Sequence, residues 1–271
     1  MNDPATTAVP PQADAQPILV AEALQPPLWY SQASSPSMSL RVQPGHTVCL
    51  MGPNTQQRTA YLRALAGVDP PASGELWFAN RAITHVDRRT WRRLRRQLAF
   101  LASGTPLLSV LSGLQNVTLP AFYHYPENSE AITAQARQWL AAAGFDGDAS
   151  QLPAYLSPLQ QRQLALCRSL MLAPTIVFMD NPLAGLEAEE EQVLVQFLAR
   201  LKAGGLTLVL ASNAVQRLQP LVDEALFLTA DTLLPLAGCQ SLWQRSEPAI
   251  RAFLHARGLL GPAASPTESA P

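Results

Sequence analysis

Lysine is almost absent from this chain of 271 residues: Lys202 is the only one, and arginine supplies the rest of the 19 basic side chains. Acidic residues number 20, which gives a formal net charge of −1. This net charge argues against general nucleic-acid binding. We therefore expect no nucleic-acid partner.

Long apolar runs are also missing. No window approaches the roughly 18 consecutive apolar residues needed to span a bilayer, and the N-terminus lacks the basic and apolar regions of a secretory signal. The three cysteines, Cys49, Cys167 and Cys239, have no metal-ligand spacing and lie in apolar surroundings. They are expected to be buried free thiols in a reducing compartment, so the chain is expected to be cytoplasmic.

Short apolar runs that alternate with helical patterns are what the sequence does contain. One helical pattern starts near Ala188 and stops at Gly204-Gly205. Four runs are typical of buried parallel strands: Thr47–Met51, Leu98–Leu101, Thr175–Met179 and Thr207–Ala211. This alternation predicts an α/β fold with a parallel sheet.

The ends and the middle of the chain depart from this alternation. Residues 1–16 are rich in Pro, Ala and Thr, and residues 262–271 in Pro, Ala and Ser, so both are expected to be disordered tails. Residues of about 105–160 have no strand signal. They predict a helical insertion, in which Ile132–Ala143 is the clearest helix.

Residues 51–59 read M-G-P-N-T-Q-Q-R-T and connect an apolar strand to a helical stretch. This is the context in which G-x-x-x-x-G-K-[ST] cradles nucleotide phosphates. The first glycine and the final hydroxyl are present as Gly52 and Thr59, but the second glycine is Gln57 and the lysine is Arg58. The planar fork of an arginine is expected not to curl into the space that a lysine fills. On this motif alone, an ordinary strand-to-helix turn is an equal alternative.

Two further motifs follow along the chain. Residues 176–180 form an apolar strand that ends in Asp180, where nucleotide-binding proteins often hold Mg²⁺. Before that strand, residues 156–162 read L-S-P-L-Q-Q-R and open a helix that continues through Leu170. As an ordered set, the three motifs resemble those of the ATPase subunits of ABC transporters, over roughly residues 17–258.

The resemblance implies a P-loop NTPase-type fold: a mainly parallel sheet flanked by helices, an N-terminal antiparallel β portion and a helical subdomain. It implies an ATPase domain over residues 17–261, with the helical subdomain at about residues 105–172. It also implies which residues would contact nucleotide, Mg²⁺ or a partner's nucleotide. These are Gly52, Pro53, Asn54, Thr55, Gln56, Gln57, Arg58 and Thr59 in the loop, Thr59 and Asp180 beside the metal, Ser157 and Gln160 in the signature motif, and Tyr30.

Tyr30 belongs to an aromatic pair with Trp29, which stands where the family stacks adenine. A pair of ordinary core aromatics is an equal alternative. Thr55 stands where the family places a glycine, and a β-branched residue resists the positive φ that such a position often needs.

The sequence departs from the family's pattern where the family carries out its chemistry. The carboxylate that activates water is replaced by Asn181, and the switch histidine by Asn213. The glutamine that reaches metal and water is replaced by Ser103, or by Ala102 if the alignment shifts by one. Pro158 takes a signature glycine's place and removes a backbone donor. An amide cannot act as a general base, so the sequence predicts a pseudo-ATPase, with ATP and Mg²⁺ as cofactors only if nucleotide is bound at all.

The run Arg88–Arg96 holds six arginines in nine residues. One interpretation is contact with anionic lipid headgroups or with an acidic partner. The other is a solvated helix face just before a strand, a place where the family is often arginine-rich.

The resemblance implies a degenerate nucleotide-binding subunit of a membrane transporter, peripheral on the inner face of the cell membrane. Its expected partners are a transmembrane permease, docked beside residues 106–121, and a second ATPase subunit, in a homodimer or in a heterodimer with an active paralogue. The ending at residues 221–258 is most similar to importer-type subunits of lipid-trafficking systems, which suggests a lipid substrate. Two alternatives stay open: an active ATPase in which Arg58 and a carboxylate such as Glu187 replace the missing groups, and a soluble regulatory or interaction protein.

Overall fold

The computed structural model describes residues 16–27, 29–30, 35–84, 86–104 and 107–260. Apart from Gln16, the two tails expected at residues 1–16 and 262–271 lie outside the described residues. The strands in chain order are β1 (Leu19–Leu24), β2 (Met38–Val42), β3 (Thr47–Met51), β4 (Glu75–Phe78), β5 (Arg81–Ala82), β6 (Leu98–Leu101), β7 (Ile176–Asp180), β8 (Thr207–Ala211), β9 (Glu224–Leu228) and β10 (Leu233–Leu236).

Helices occupy most of the chain between the strands. They are α1 (Thr55–Leu65), α2 (Arg88–Leu94), α3 (Gly113–His124), α4 (Ser129–Ala142), α5 (Pro158–Leu170), α6 (Ala188–Ala203), α7 (Val215–Leu218) and α8 (Pro248–Ala256). No described helix is long and apolar enough to cross a membrane.

A six-stranded sheet in the order β10-β9-β3-β8-β7-β6 forms the centre of the molecule. The neighbours from β9 to β6 pair in parallel, and β10 pairs with β9 antiparallel. Strands β3, β7 and β8 are buried along their whole length, because packed elements cover both faces of the sheet. In β3, for example, Cys49 and Met51 face one apolar core, and Val48 and Leu50 face the other.

A second, antiparallel sheet in the order β2-β1-β4-β5 covers part of one face together with α1. Its strands alternate between buried and more exposed positions, as in β2, where Met38, Leu40 and Val42 are buried. The expected N-terminal antiparallel portion is this sheet.

Helices α3, α4 and α5 pack against one another beside the central sheet. Helix α4 buries Ile132, Ala136 and Leu140 on one face, which is the periodicity that predicted it. The structure assigns no strand to the described part of residues 105–160, in agreement with the sequence. The predicted α/β fold class is confirmed. Strand β7 starts one residue after the apolar run at Thr175–Met179 and ends in Asp180, as the motif at residues 176–180 predicted.

Candidate nucleotide site

The loop after β3 turns sharply into α1, and its geometry requires a glycine. Gly52 has φ of +144°, and a Cβ atom on it would lie 2.2 Å from the carbonyl oxygen of Leu228. Asn54 caps the helix, since its side-chain oxygen accepts from the backbone N–H of Gln57 at 3.1 Å. The helix starts at Thr55, which therefore has no positive φ, and the strain anticipated for a β-branched residue does not arise.

The other residues of the loop differ in their exposure to solvent. Pro53 and Gln56 are exposed, whereas Gln57 is buried and its Nε2 donates to the carbonyl oxygen of Thr229 at 2.8 Å. Gln57 stands at the second glycine position of the phosphate-loop pattern. Its side chain thus ties the loop to the end of β9.

Arg58 is buried inside the loop, with 2% of its surface exposed. Its Nη1 donates to the carbonyl oxygen of Gly52, and its Nη2 donates to Oγ1 of Thr55 at 3.1 Å. Burial lowers the pKa of the guanidinium. The expectation that the arginine fork cannot curl back was wrong: the side chain does fold into the loop, and two of its donors are used by the loop itself.

Thr59 and Asp180 meet across 121 residues of sequence: the Thr59 hydroxyl donates to Oδ2 of Asp180 at 2.9 Å. Asp180 is 5% exposed, and burial raises the pKa of its carboxyl even though the Thr59 hydrogen bond and the nearby Arg58 and Arg63 guanidiniums lower it. A hydroxyl and a carboxylate are hard oxygen donors of the kind that Mg²⁺ prefers. The donor set at this point fits that ion.

Asn181 follows Asp180 in a left-handed conformation, with φ of +46°. Asparagine tolerates this region better than most residues. Its backbone N–H donates to the carbonyl oxygen of Ala211 at 2.8 Å, and its Nδ2 donates to Oδ1 of Asp180 at 3.1 Å. The amide nitrogen of Asn181, the residue predicted to replace the family's water-activating carboxylate, therefore donates a hydrogen bond and cannot accept a proton.

Asn213 joins the loop through both atoms of its amide. Oδ1 accepts from the Gly52 N–H at 3.1 Å, and Nδ2 donates to the Gly52 carbonyl oxygen at 2.9 Å. Ser103 is exposed in the turn after β6, and within the described residues no hydrogen bond connects it to the loop. The structure brings Asn213 into direct contact with the loop. Asn181 is connected to the loop only through Asp180, which accepts from Thr59, and the described residues show no such link for Ser103.

Ser157 and Gln160 form a reciprocal cap at the start of α5. The Ser157 Oγ accepts from the Gln160 N–H at 3.2 Å, and the Gln160 Oε1 accepts from the Ser157 N–H at 3.0 Å. Gln160 Nε2 also donates to Asp146 at 2.9 Å. Pro158 occupies the first position of the helix, where a missing N–H has no cost.

The aromatic pair presents one ring to solvent and one to the core. Trp29 is 61% exposed and donates its indole N–H to Asp69 at 3.2 Å, whereas Tyr30 is 8% exposed. The rings meet edge to face, with centroids 6.1 Å apart. The placement of adenine against Tyr30 stays a prediction, and Trp29 is the ring of the pair that a base could cover.

The contacts that fill the loop gave no signal in the sequence. Asn213 and Gly52 are 161 residues apart, and the partner of Gln57 is a backbone carbonyl. A replacement read from a motif shows which group is lost, but it does not show which new partner the replacement side chain finds.

A family model described as "ABC transporter" matches residues 36–184, more than half of the chain. The chain belongs to this family. MlaF of Escherichia coli (strain K12), an intermembrane phospholipid transport system ATP-binding protein, is 27% identical over 219 residues, which cover 80% of this chain and 81% of MlaF. TcyN of the same organism, an L-cystine transport system ATP-binding protein, is 24% identical over 232 residues, which cover 83% of this chain and 93% of TcyN.

Two solved ABC structures share the fold. The dimeric, post-hydrolysis structure of the ATP-binding cassette MJ0796, bound to ADP and Pi, has a TM-score of 0.72 at 22% identity and covers 81% of this chain and 99% of that one. The structure of cbiO1 from Clostridium perfringens, part of an ABC transporter complex, has a TM-score of 0.73 at 18% identity. It covers 89% of this chain and 96% of the cbiO1 chain. The family assignment made from the motifs is confirmed.

Proposed function

We propose that this chain is the ATP-binding-cassette subunit of a membrane transporter and that it hydrolyses little or no ATP. The observation that carries the proposal is the state of Arg58. A guanidinium that is 2% exposed and bonded to the Gly52 carbonyl and to Thr55 offers fewer donors to a phosphate than a free cation would. Because Gln57 and Asn213 also bind backbone groups around the loop, phosphate would have to displace several internal hydrogen bonds.

The residues that replace the family's catalytic groups support the same proposal. Asn181 supplies an amide where a water-activating carboxylate is expected, and Asn213 is held by Gly52. Loss of a single group that stabilises a transition state costs roughly 3 kcal/mol or more. Thr59 and Asp180 keep the oxygen donors that would hold Mg²⁺, so nucleotide binding without turnover is compatible with the site.

We further propose that the chain acts on the inner face of the membrane with a permease and with a second ATPase subunit. Similarity to MlaF, whose name assigns it to phospholipid transport, supports a lipid as the transported substrate. The dimeric state of the similar cassette MJ0796 supports a paired arrangement. In such a pair, the exposed Ser157 would face the partner's loop.

The test is ATP binding and ATP turnover by the purified full-length chain in the presence of Mg²⁺, with Asp180→Ala as the control. We expect turnover no higher than that of Asp180→Ala. Turnover that Asp180→Ala abolishes would overturn the proposal and would point to a substitute base. Purification of the tagged chain from solubilised membranes tests the transport role, since a permease and an ATPase subunit should accompany it.

A further inference from the structure

Helix α2 and the end of α3 enclose a groove of about 520 Å³ on the surface. Its lining is almost wholly cationic, with Arg88, Arg89, Arg92, Arg93, Arg96 and His124. Residues four apart lie on one side of a helix, which is why Arg88 and Arg92, and likewise Arg89 and Arg93, are neighbours in this groove. The groove therefore concentrates five of the chain's 19 basic side chains at one place.

The charge of this arginine groove is not balanced within the part of the chain that the structure describes. None of the ion pairs between described residues involves a groove arginine. Asp87, the adjacent acid, uses its carboxylate to cap α2 by accepting from the backbone N–H groups of Arg89 and Thr90. Like charges at this spacing repel one another, so a bound anion would relieve a cost that the fold carries.

Two exposed tyrosines border the arginine groove on either side of His124. Tyr123 is 82% exposed and Tyr125 is 43% exposed. The ring of His124 lies 5.0 Å from that of Tyr123 and 6.1 Å from that of Tyr125, so the three rings form one aromatic edge. A tyrosine combines an apolar ring with a polar tip and is enriched where proteins meet the headgroup layer of a membrane.

We propose that the arginine groove and its aromatic edge bind the surface of a membrane that contains anionic phospholipid. Planar guanidiniums match phosphate oxygens with two parallel hydrogen bonds, which makes arginine well suited to lipid phosphates. The tyrosines favour a lipid surface over an acidic protein segment, because their rings would enter the headgroup layer beside the bound phosphates. The proposed contact does not depend on nucleotide, so it can be tested independently of the proposed lack of hydrolysis.

The test is flotation of the purified full-length chain with vesicles, without nucleotide. One set of vesicles contains phosphatidylcholine alone, and the other contains phosphatidylcholine mixed with phosphatidylglycerol. The double variant Arg89→Gln with Arg93→Gln is compared with a control of equal charge change, Arg137→Gln with Arg251→Gln, whose arginines are exposed on α4 and α8. Equal thermal unfolding midpoints would show that all the chains are folded.

We expect the wild type and the control to float with the anionic vesicles and not with the neutral ones. The groove double variant should bind about thirtyfold more weakly, since each basic side chain near an anionic surface contributes about 1 kcal/mol. Tyr123→Ala should weaken binding with the arginines intact. Binding should fall as salt is added.

Three results would overturn the proposal. The first is equal loss of binding in the groove and control variants, which would mean a diffuse charge effect. The second is release from the vesicles by inorganic phosphate at unchanged ionic strength, which would indicate a site for a small free anion. The third is no binding of the wild type to anionic vesicles, which would leave an acidic protein partner as the occupant of the groove.

Discussion

Asn213 holds Gly52 by both polar atoms of its side chain, at 3.1 Å to the backbone N–H and 2.9 Å to the carbonyl oxygen. Gly52 comes directly after β3, and Asn213 comes two residues after β8, the strand that pairs with β3 in parallel. The oxygen and nitrogen of an amide share one carbon and point to the same side, so they can meet a donor and an acceptor of one residue, whereas the two nitrogens of an imidazole point in diverging directions. Asn213, which we predicted to replace the family's switch histidine, therefore joins two strand ends.

Replacement of this amide should cost stability whether or not nucleotide is present. Asn213→Ala removes both hydrogen bonds to Gly52, and we expect the free energy of unfolding to fall by about 1–3 kcal/mol. Urea denaturation measures the change, with Gln138→Ala on the exposed side of α4 as the control. A variant as stable as the wild type would mean that water replaces the amide fully and that the contact is incidental.

The pKa of Asp180 predicts a dependence of stability on pH. Burial raises this pKa above its ordinary value of 3.8, so the folded chain holds a proton over a range in which the unfolded chain has lost it. Stability contributed by the carboxyl therefore falls as pH rises through that range. The isosteric Asp180→Asn cannot ionise and should unfold at a higher urea concentration than the wild type near neutral pH.

The same comparison at acid pH supplies the control for Asp180. At a pH well below 3.8 the wild-type carboxyl is protonated in both states, so the difference between the two chains should disappear. A variant less stable than the wild type near neutral pH would show that the bond from Thr59 and the nearby guanidiniums outweigh the cost of burying the charge.

Ser157 has a structural role that can be separated from any role toward a partner's nucleotide. Ser157→Ala removes the acceptor for the Gln160 N–H at the start of α5, and loss of such a cap costs about 1 kcal/mol. Thermal unfolding of the isolated chain should show this loss, and Ser109→Ala, an exposed serine outside any helix, should not. If both variants unfold at the same temperature as the wild type, the cap contributes nothing measurable to the stability of the isolated chain.

Much of the central sheet could be predicted from the sequence because β3, β7 and β8 are buried on both faces and read as continuous apolar runs. Strands of the outer sheet gave no such signal. In β1, positions 22 and 23 are exposed, and β5 is two residues long. The antiparallel portion was expected from the resemblance alone.

Part of the candidate site could likewise be predicted from the motifs, and part could not. The contact between Thr59 and Asp180 was predictable, because the resemblance places both residues beside the same metal ion. The fold of Arg58 onto Gly52 was not, because it depends on the shape of the loop and on the rotamer of a long side chain. Comparison with the phosphate-loop motif shows that the lysine is replaced by Arg58, but it does not predict the hydrogen bond from Arg58 to Gly52.

Arg58→Lys tests directly whether the buried guanidinium limits nucleotide binding. A lysine ammonium is a compact charge on a flexible stem and can turn from the Gly52 carbonyl toward a phosphate. We expect the affinity for ATP with Mg²⁺ to rise by about tenfold, or roughly 1.4 kcal/mol, measured by titration with labelled nucleotide. Turnover should stay at background, because Asn181 still provides no general base.

The matched control for this variant is Arg63→Lys, on the same helix but paired with Asp69 at 2.5 Å outside the loop. It makes the same chemical change without touching the Gly52 carbonyl and should leave ATP affinity unaltered. Equal ATP affinities in Arg58→Lys and the wild type would show that the contacts of Gln57 and Asn213, rather than the guanidinium, keep phosphate out of the loop. A rise in turnover would be more damaging, since it would mean that a carboxylate elsewhere activates water and that the chain is one substitution away from an active ATPase.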